Sequence, residues 1–300
     1  PIGWDVMMIG TRTRDRNVTA RGARAHAALA GSATLLPAAV AAEPQNVGKA
    51  EPWQMGLQEA ATPVMEQVQS FHNLLLVIIT AITLFVLVLL LYVSWRFHEK
   101  RNPTPSGVSH NTWLEIGWTA VPVIILVVIA IPSFKLLYYQ DSVVNADMTV
   151  KAIGRQWYWS YAYPDHGDFE FNSFLKEGED LGKKDYRQLS VNNPLVIPAN
   201  TDVRIQITAS DVLHAFAVPA FGIKTDAVPG QLNESWAHVD EPGTYYGMCS
   251  EICGPGHSEM PIAVKVVPKD EFESWIETQQ AKHGIEPERD NQLAEAGAAQ

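Results

Sequence analysis

The sequence predicts a two-helix transmembrane hairpin followed by an all-β sandwich domain. Three observations predict it. Two long apolar runs occupy the first half of the 300-residue chain, each long enough to cross a hydrocarbon core of about 30 Å as a helix. After Asp141 the text changes to short β-type runs broken by Pro, Gly, Asn and Asp. Between the last two of those runs stands "CSEICGPGHSEM", which holds both cysteines of the chain.

Residues 1–42 carry five arginines against two aspartates and then "HAALAGSATLLPAAVAA", whose small-residue end precedes "EPQNVGK". This is the layout of an export signal cleaved near Ala42. Residues 43–70 follow as an N-terminal segment outside the membrane. The first span, 71–97, is built on "LLLVIITAITLFVLVLLLYV", in which two threonines are the polar residues. The second, 114–139, is built on "IGWTAVPVIILVVIAIPSF". Pro122 and Pro132 are compatible with spanning, because neighbouring groups re-satisfy the carbonyls that proline frees. A buried pair of soluble helices would show a polar stripe, and neither run does.

Arg96, Lys100 and Arg101 crowd the connection at 98–113. Positive residues close to a span end mark the cytoplasmic side, so both termini face outward. Tyr92, Trp95, Trp113, Trp118, Tyr138 and Tyr139 lie where an interfacial aromatic belt belongs.

In the domain at 140–268, "VRIQITAS" (203–210) and "PIAVKVV" (261–267) alternate apolar and polar positions, and "TYYGM" (244–248) is aromatic and β-prone. "QWYWSY" reads as a further aromatic strand. At 269–300, "DEFESWIETQQAKHG" places Phe272, Trp275 and Ile276 at helical spacing before a glycine stop and a polar tail. From Asp141 onward 25 acidic residues stand against 12 basic ones, and the whole chain carries a net charge of −11. That balance speaks against nucleic acid and anionic lipid as partners of the domain and for attraction to a basic protein.

Cys249, Cys253, His257 and Met260 share the loop between the "TYYGM" and "PIAVKVV" strands, and His214 follows the "VRIQITAS" strand. If these strand ends lie together, five metal-competent side chains converge on one rim. A disulfide would close a very small loop, with little gain in stability, and would leave both histidines and the methionine without a role. A structural zinc site takes two thiolates and two imidazoles but has no place for methionine. Thiolate, imidazole and a weak axial thioether are the ligands of copper electron-transfer sites. A mononuclear centre of that kind uses one cysteine, so the second thiolate calls for a second copper, bridged to the first.

The pieces "GMCSEICGPGHSEMPI" and "DVLHAFAVPAFGIKTDAVPG" resemble the CuA-binding loops of subunit II of cytochrome c oxidase, and the resemblance extends over residues 55–268 to include the hairpin and "GRQWYWSY". It implies a cupredoxin-like Greek-key sandwich on the periplasmic side of a bacterial inner membrane. The implied partners are oxidase subunit I, further subunits and cytochrome c. The implied activity is acceptance of electrons from cytochrome c and their transfer to haem in subunit I, where oxygen is reduced and protons are pumped.

Carried over by residue, Cys249 and Cys253 bridge the two coppers, and His214 and His257 each complete one copper's imidazole set. Met260 is the weak axial ligand of one copper and the Glu251 carbonyl that of the other. The Glu251 side chain reaches a magnesium ion shared with subunit I. Trp157 is the ring through which the electron enters. Asp211, Asp165 and Asp168 dock cytochrome c, and Glu115 stands at the mouth of a proton path.

The chain departs from the family pattern on the docking side. Ala162 and Asn192 stand where members carry acidic residues, Met248 replaces a glutamine, and Glu259 replaces an aromatic residue. A quinol-oxidase subunit II shares the architecture but lacks the five-ligand set present here. A copper-delivery protein would show Met-rich or His-rich flexible tracts, which do not occur. Nitrous-oxide reductase has a similar centre on a longer chain without the hairpin.

Overall fold

The computed structural model describes residues 48–285, apart from 105, 143 and 144. The expected export signal at 1–42 and the tail beyond Ile285 lie outside the described residues. Two long helices come first, α1 (Pro63–Arg96) and α2 (Thr112–Asp141). At a rise of about 1.5 Å per residue both are longer than a hydrocarbon core is thick. Their apolar side chains are exposed along the length, as in Leu90 at 60% and Ile131 at 72%. This is the surface of helices that meet lipid or another subunit.

α1 begins three turns ahead of its apolar run because the local residues start a helix there. Thr62 Oγ1 accepts the Met65 N–H (3.1 Å), and Pro63 occupies the first helical position. The same hydroxyl donates to the Phe221 carbonyl at 2.7 Å, and the Ala61 N–H donates to the Ala220 carbonyl at 2.9 Å, so the start of the hairpin is bonded to the β domain. At the other end of the hairpin Asn111 caps α2 by accepting the Leu114 N–H at 3.2 Å. α2 continues through Pro122 and Pro132 and ends with Tyr139 edge-on to Trp236, ring centroids 5.5 Å apart.

The domain contains β1 (Met148–Arg155), β2 (Tyr158–Tyr163), β3 (Phe169–Ser173), β4 (Leu195–Pro198) and β5 (Asp202–Ala209). It continues with β6 (His214–Val218), β7 (Ile223–Ala227), β8 (Asn233–His238), β9 (Gly243–Cys249) and β10 (Pro261–Val267), and closes with the helix α3 (Lys269–Lys282). One sheet has the order β3-β2-β1-β5-β8 and the other β4-β10-β9-β6-β7. The pairs β1/β5 and β10/β4 are parallel, and the remaining pairs within these sheets are antiparallel.

The expected sandwich is the observed architecture. Its core takes alternate residues of each strand, among them Trp159, Tyr161 and Tyr163 from β2, Val203, Ile205 and Ile207 from β5, and Ile262, Val264 and Val266 from β10. The Tyr163 hydroxyl donates to the Val196 carbonyl (2.7 Å) and accepts the Val196 N–H (3.0 Å), joining the two sheets. α3 closes one side by burying Phe272 and Ile276, with Trp275 5.2 Å from the Tyr163 ring.

Two strands differ from their sequence reading. "QWYWSY" is not one strand: Gln156 and Trp157 form the turn between β1 and β2, with Arg155 paired to Tyr158 across it. β10 is buried on both faces at most positions instead of alternating. Ala263 on its outer face is covered by a small cluster of Val191 and Tyr246 with Tyr186 and Leu189 packed against it, and an outer face covered in this way loses its polar positions.

Candidate metal centre

Backbone pairing brings the ligand loop to one rim. Cys249 ends β9 and Met260 immediately precedes β10, and the Cys249 N–H donates to the Met260 carbonyl at 3.2 Å, closing the loop between them. β6 lies beside β9 with Phe216 opposite Cys249, and the Ser250 N–H donates to the Ala215 carbonyl at 3.0 Å. His214, first residue of β6, therefore stands next to Cys249. Within the loop, His257–Glu259 form one 3₁₀ turn. The His257 N–H bonds the Gly254 carbonyl at 3.1 Å and the Glu259 N–H the Gly256 carbonyl at 2.9 Å. This tight winding points Cys253, His257 and Met260 to one side.

The result is a paired arrangement. Both cysteines are free and buried, with their sulfurs 3.9 Å apart. Cys249 Sγ has His214 Nδ1 at 3.8 Å and the Glu251 carbonyl oxygen at 3.4 Å. Cys253 Sγ has His257 Nδ1 at 3.6 Å and Met260 Sδ at 3.6 Å. Each sulfur thus has its own imidazole nitrogen and its own weak donor. His214, Cys249 and Cys253 offer ligand atoms that all lie within 4.8 Å of one another. The sulfur separation is far above a disulfide bond of about 2.05 Å and below twice a metal–thiolate bond of about 2.3 Å, so one ion can touch both sulfurs. Soft thiolates flanked by imidazoles and a thioether are a donor set for copper, and the residues present fit a copper pair.

The site is dry. His214 is 0% exposed, Met260 1%, Cys249 3% and Cys253 4%. Burial opposes ionisation at Cys249, but hydrogen bonds from His214 and from the local backbone outweigh it and lower its thiol pKa. Cys253 is pushed the other way by burial and by the charge of its neighbour. The two thiols share their environment so that one thiolate is favoured and the second is opposed until a cation arrives.

Trp157 lies across the loop between Cys249 and Met260. Its indole Nε1–H donates to the Cys253 carbonyl at 3.2 Å, and Gln156 Nε2–H donates to the same oxygen at 2.9 Å. The ring rests on Gly256, where a Cβ would meet Trp157 Cδ2 and Cγ at 2.6 Å. Trp157 is 37% exposed, so it links the surface to a buried thiol residue. Exposed Leu213 and Ile252, at 49% and 79%, adjoin ligand residues in the chain. Glu177 and Glu259 line a shallow cleft with Gln156, Trp157, Tyr158 and Phe174.

Not every expected site residue joins this rim. Asp211 does, but its carboxylate is turned to the protein: Oδ1 is 2.9 Å from His214 Nε2 and Oδ2 accepts the Gln156 N–H at 2.7 Å. Asp165 and Asp168 belong to the connection from β2 to β3, at the end of β2 remote from Trp157, and Asp165 Oδ2 accepts the Thr149 N–H at 2.6 Å. Six strand residues at about 3.3 Å each separate them from the rim. Ala162 is buried at 4% exposure, and Asn192 Oδ1 accepts the Phe174 N–H at 2.9 Å, closing a loop. Glu251 is half-buried beside the ligands. Glu115 stands in the first turn of α2, a favourable place for a carboxylate at a helix N-terminus.

Sequence reasoning missed Gly154 and Gln156. A Cβ at Gly154 would meet His214 Cδ2 and Cγ at 2.8 Å. Neither residue carries a metal-binding group, so no spacing rule points to it. The Asp211–His214 contact did have a signal, a carboxylate three residues ahead of a metal-competent histidine.

Comparison with known proteins gives the family of the chain. The family description "Cytochrome C oxidase subunit II, periplasmic domain" matches residues 148–267, and "Cytochrome C oxidase subunit II, transmembrane domain" matches residues 50–136. A probable cytochrome c oxidase subunit 2 of Rickettsia bellii is 52% identical over 225 residues, covering 75% of this chain and 84% of that protein. Cytochrome c oxidase subunit 2 of Arabidopsis thaliana is 47% identical over 236 residues, covering 77% and 91%. The crystal structure of the periplasmic domain of subunit II of cytochrome oxidase of Bradyrhizobium japonicum is 52% identical, covers 47% of this chain and 99% of that one, and has a TM-score of 0.44. With both its hairpin and its β domain matched, the chain belongs to the cytochrome c oxidase subunit II family.

Proposed function

We propose that this chain is the electron-accepting subunit of a haem-copper terminal oxidase, taking single electrons from a c-type cytochrome and passing them to haem in subunit I. The observation that carries the reading is the paired donor set: two free thiols 3.9 Å apart, each with its own imidazole nitrogen and weak donor. His214, Cys249, Cys253, His257, Met260 and the Glu251 carbonyl would hold two coppers. Bound there, the copper pair would take up and give back one electron shared between two nuclei. The Glu251 side chain is the group through which a magnesium ion would be shared with subunit I.

The chain's own residues supply the rest. Burial of His214, Cys249, Cys253 and Met260 limits the access of water, and strand pairing on either side of the loop fixes the donors, so little rearranges when charge changes. Trp157 receives the electron at the surface, and its hydrogen bond to the Cys253 carbonyl continues the route inward. Trp157 and Phe174 give the cleft an exposed aromatic surface, and Glu177 and Glu259 in the same cleft add negative charge facing a basic donor. Asp165 and Asp168 lie apart from that cleft. The chain is a membrane protein with two spans. We place its copper domain and both termini on the periplasmic side, because Arg96, Lys100 and Arg101 mark the hairpin turn as cytoplasmic. Glu115, at that same turn, is positioned to receive protons from the cytoplasm.

Rapid mixing of a reduced c-type cytochrome with the purified oxidase tests the reading. Trp157→Phe is expected to slow the transfer step itself while leaving the affinity of the donor nearly unchanged. An unaltered transfer rate would remove Trp157 from the route, and a Cys253→Ser oxidase that still accepts electrons at the wild-type rate would remove the copper pair.

A further inference from the structure

Asp211 lies on the docking side of the domain, yet its hydrogen bonds face inward. Oδ1 lies 2.9 Å from His214 Nε2 and accepts the Val212 N–H at 2.7 Å. Oδ2 accepts the Gln156 N–H at 2.7 Å. The side chain keeps 31% of its surface exposed, but both oxygens are engaged by donors of this chain.

The bond to His214 has a chemical consequence. A neutral imidazole carries one N–H and one lone pair. With Nε2–H donated to Asp211, the lone pair resides on Nδ1, the nitrogen that faces Cys249 Sγ at 3.8 Å. The ring is fully buried, and no other side chain is hydrogen-bonded to Nε2 among the described residues. Oδ2 meanwhile holds the backbone of the turn that carries Trp157. One carboxylate therefore spans the electron-accepting turn and a metal-facing imidazole, 55 residues apart between Gln156 and Asp211.

We propose that Asp211 is a positioning residue: it fixes the tautomer and orientation of His214 and ties the Gln156–Trp157 turn to that imidazole, so that the ring receiving the electron and the ligand move as one body. The inference rests on the copper reading of the site. It assigns Asp211 a role that exists without any donor protein present. Outer carboxylate partners of metal-binding histidines are commonly worth about 10–100-fold in metal affinity or activity.

The test uses the full chain in the purified oxidase, with wild type, Asp211→Ala and Asp211→Glu compared first in the absence of cytochrome c and then in turnover with it. The readouts are the copper hyperfine pattern by electron paramagnetic resonance and the rate of copper loss to a chelator. Asp211→Ala is expected to alter the hyperfine splitting and to speed copper loss by about 10–100-fold. Asp211→Glu keeps the charge but moves the carboxylate by one methylene, and it is expected to resemble Asp211→Ala. If both variants keep the wild-type pattern and copper retention while Asp211→Ala only raises the KM for cytochrome c, Asp211 is a docking charge and the proposal is overturned. If Asp211→Ala does not fold, Asp211→Glu decides on the same readouts. Absence of a copper pair from the wild type itself is a different failure, which overturns the copper reading and this inference with it.

Discussion

At Gly154 the backbone of β1 passes so close to His214 that a methyl group would lie 2.8 Å from two ring carbons. The imidazole is buried and held by Asp211, so it has little room to give. Gly154→Ala is expected to cost about 1–3 kcal/mol of domain stability, as overpacked cores do, and to lower the copper content. Thermal unfolding with a metal count checks both, and an unchanged melting temperature with full copper would contradict the contact. The candidate ligands themselves were legible at this scale, because Cys, Cys, His and Met at fixed short spacings are chemically distinctive. Gly154, Gln156 and the bond from Asp211 to the Gln156 backbone were not: they act through contacts made 55 to 97 residues away in the chain, as between Gln156 and Asp211 and between Gln156 and Cys253, and such contacts exist only once the two sheets have met.

The elements divide in the same way. Both spans and the strands β5, β9 and β10 could be located from apolar length and alternation, since each signal is carried within one segment. The turn at Gln156 and Trp157 was hidden, because an aromatic run reads as continuous strand until the hairpin pairing is known. The cap of α1 was hidden too. Thr62 both accepts the Met65 N–H and donates to the Phe221 carbonyl, so one hydroxyl starts the helix and fastens the hairpin to the β domain. Removing it in Thr62→Ala is expected to destabilise this junction by about 1–2 kcal/mol. Hydrogen exchange at Met65 and at Ala61, whose N–H bonds the next carbonyl along at Ala220, would rise with the fold otherwise intact. Unchanged protection there would show that packing alone holds the junction.

For the whole molecule, charge and anchorage act together. The hairpin holds the sandwich at the membrane, and on the proposed reading the acidic balance after Asp141, 25 acidic against 12 basic residues, would draw a basic carrier and leave the complex salt-sensitive and short-lived. The KM for a basic cytochrome c is expected to rise with ionic strength at constant maximal rate, and a salt-independent KM would remove electrostatic docking. Glu177→Gln and Glu259→Gln should each raise that KM by up to about fivefold, the range of exposed charge pairs. Asp165→Asn and Asp168→Asn, at the far end of β2, should leave it nearly unchanged. The opposite ranking would move the docking face away from Trp157.

The central claim is that both cysteines serve one shared-electron copper pair, and electron paramagnetic resonance with a copper count on the purified full chain in its oxidase tests it most directly. A seven-line copper pattern with two coppers per chain in this subunit is the predicted result. A four-line pattern with a single copper, or a disulfide between Cys249 and Cys253 with no copper, would contradict it.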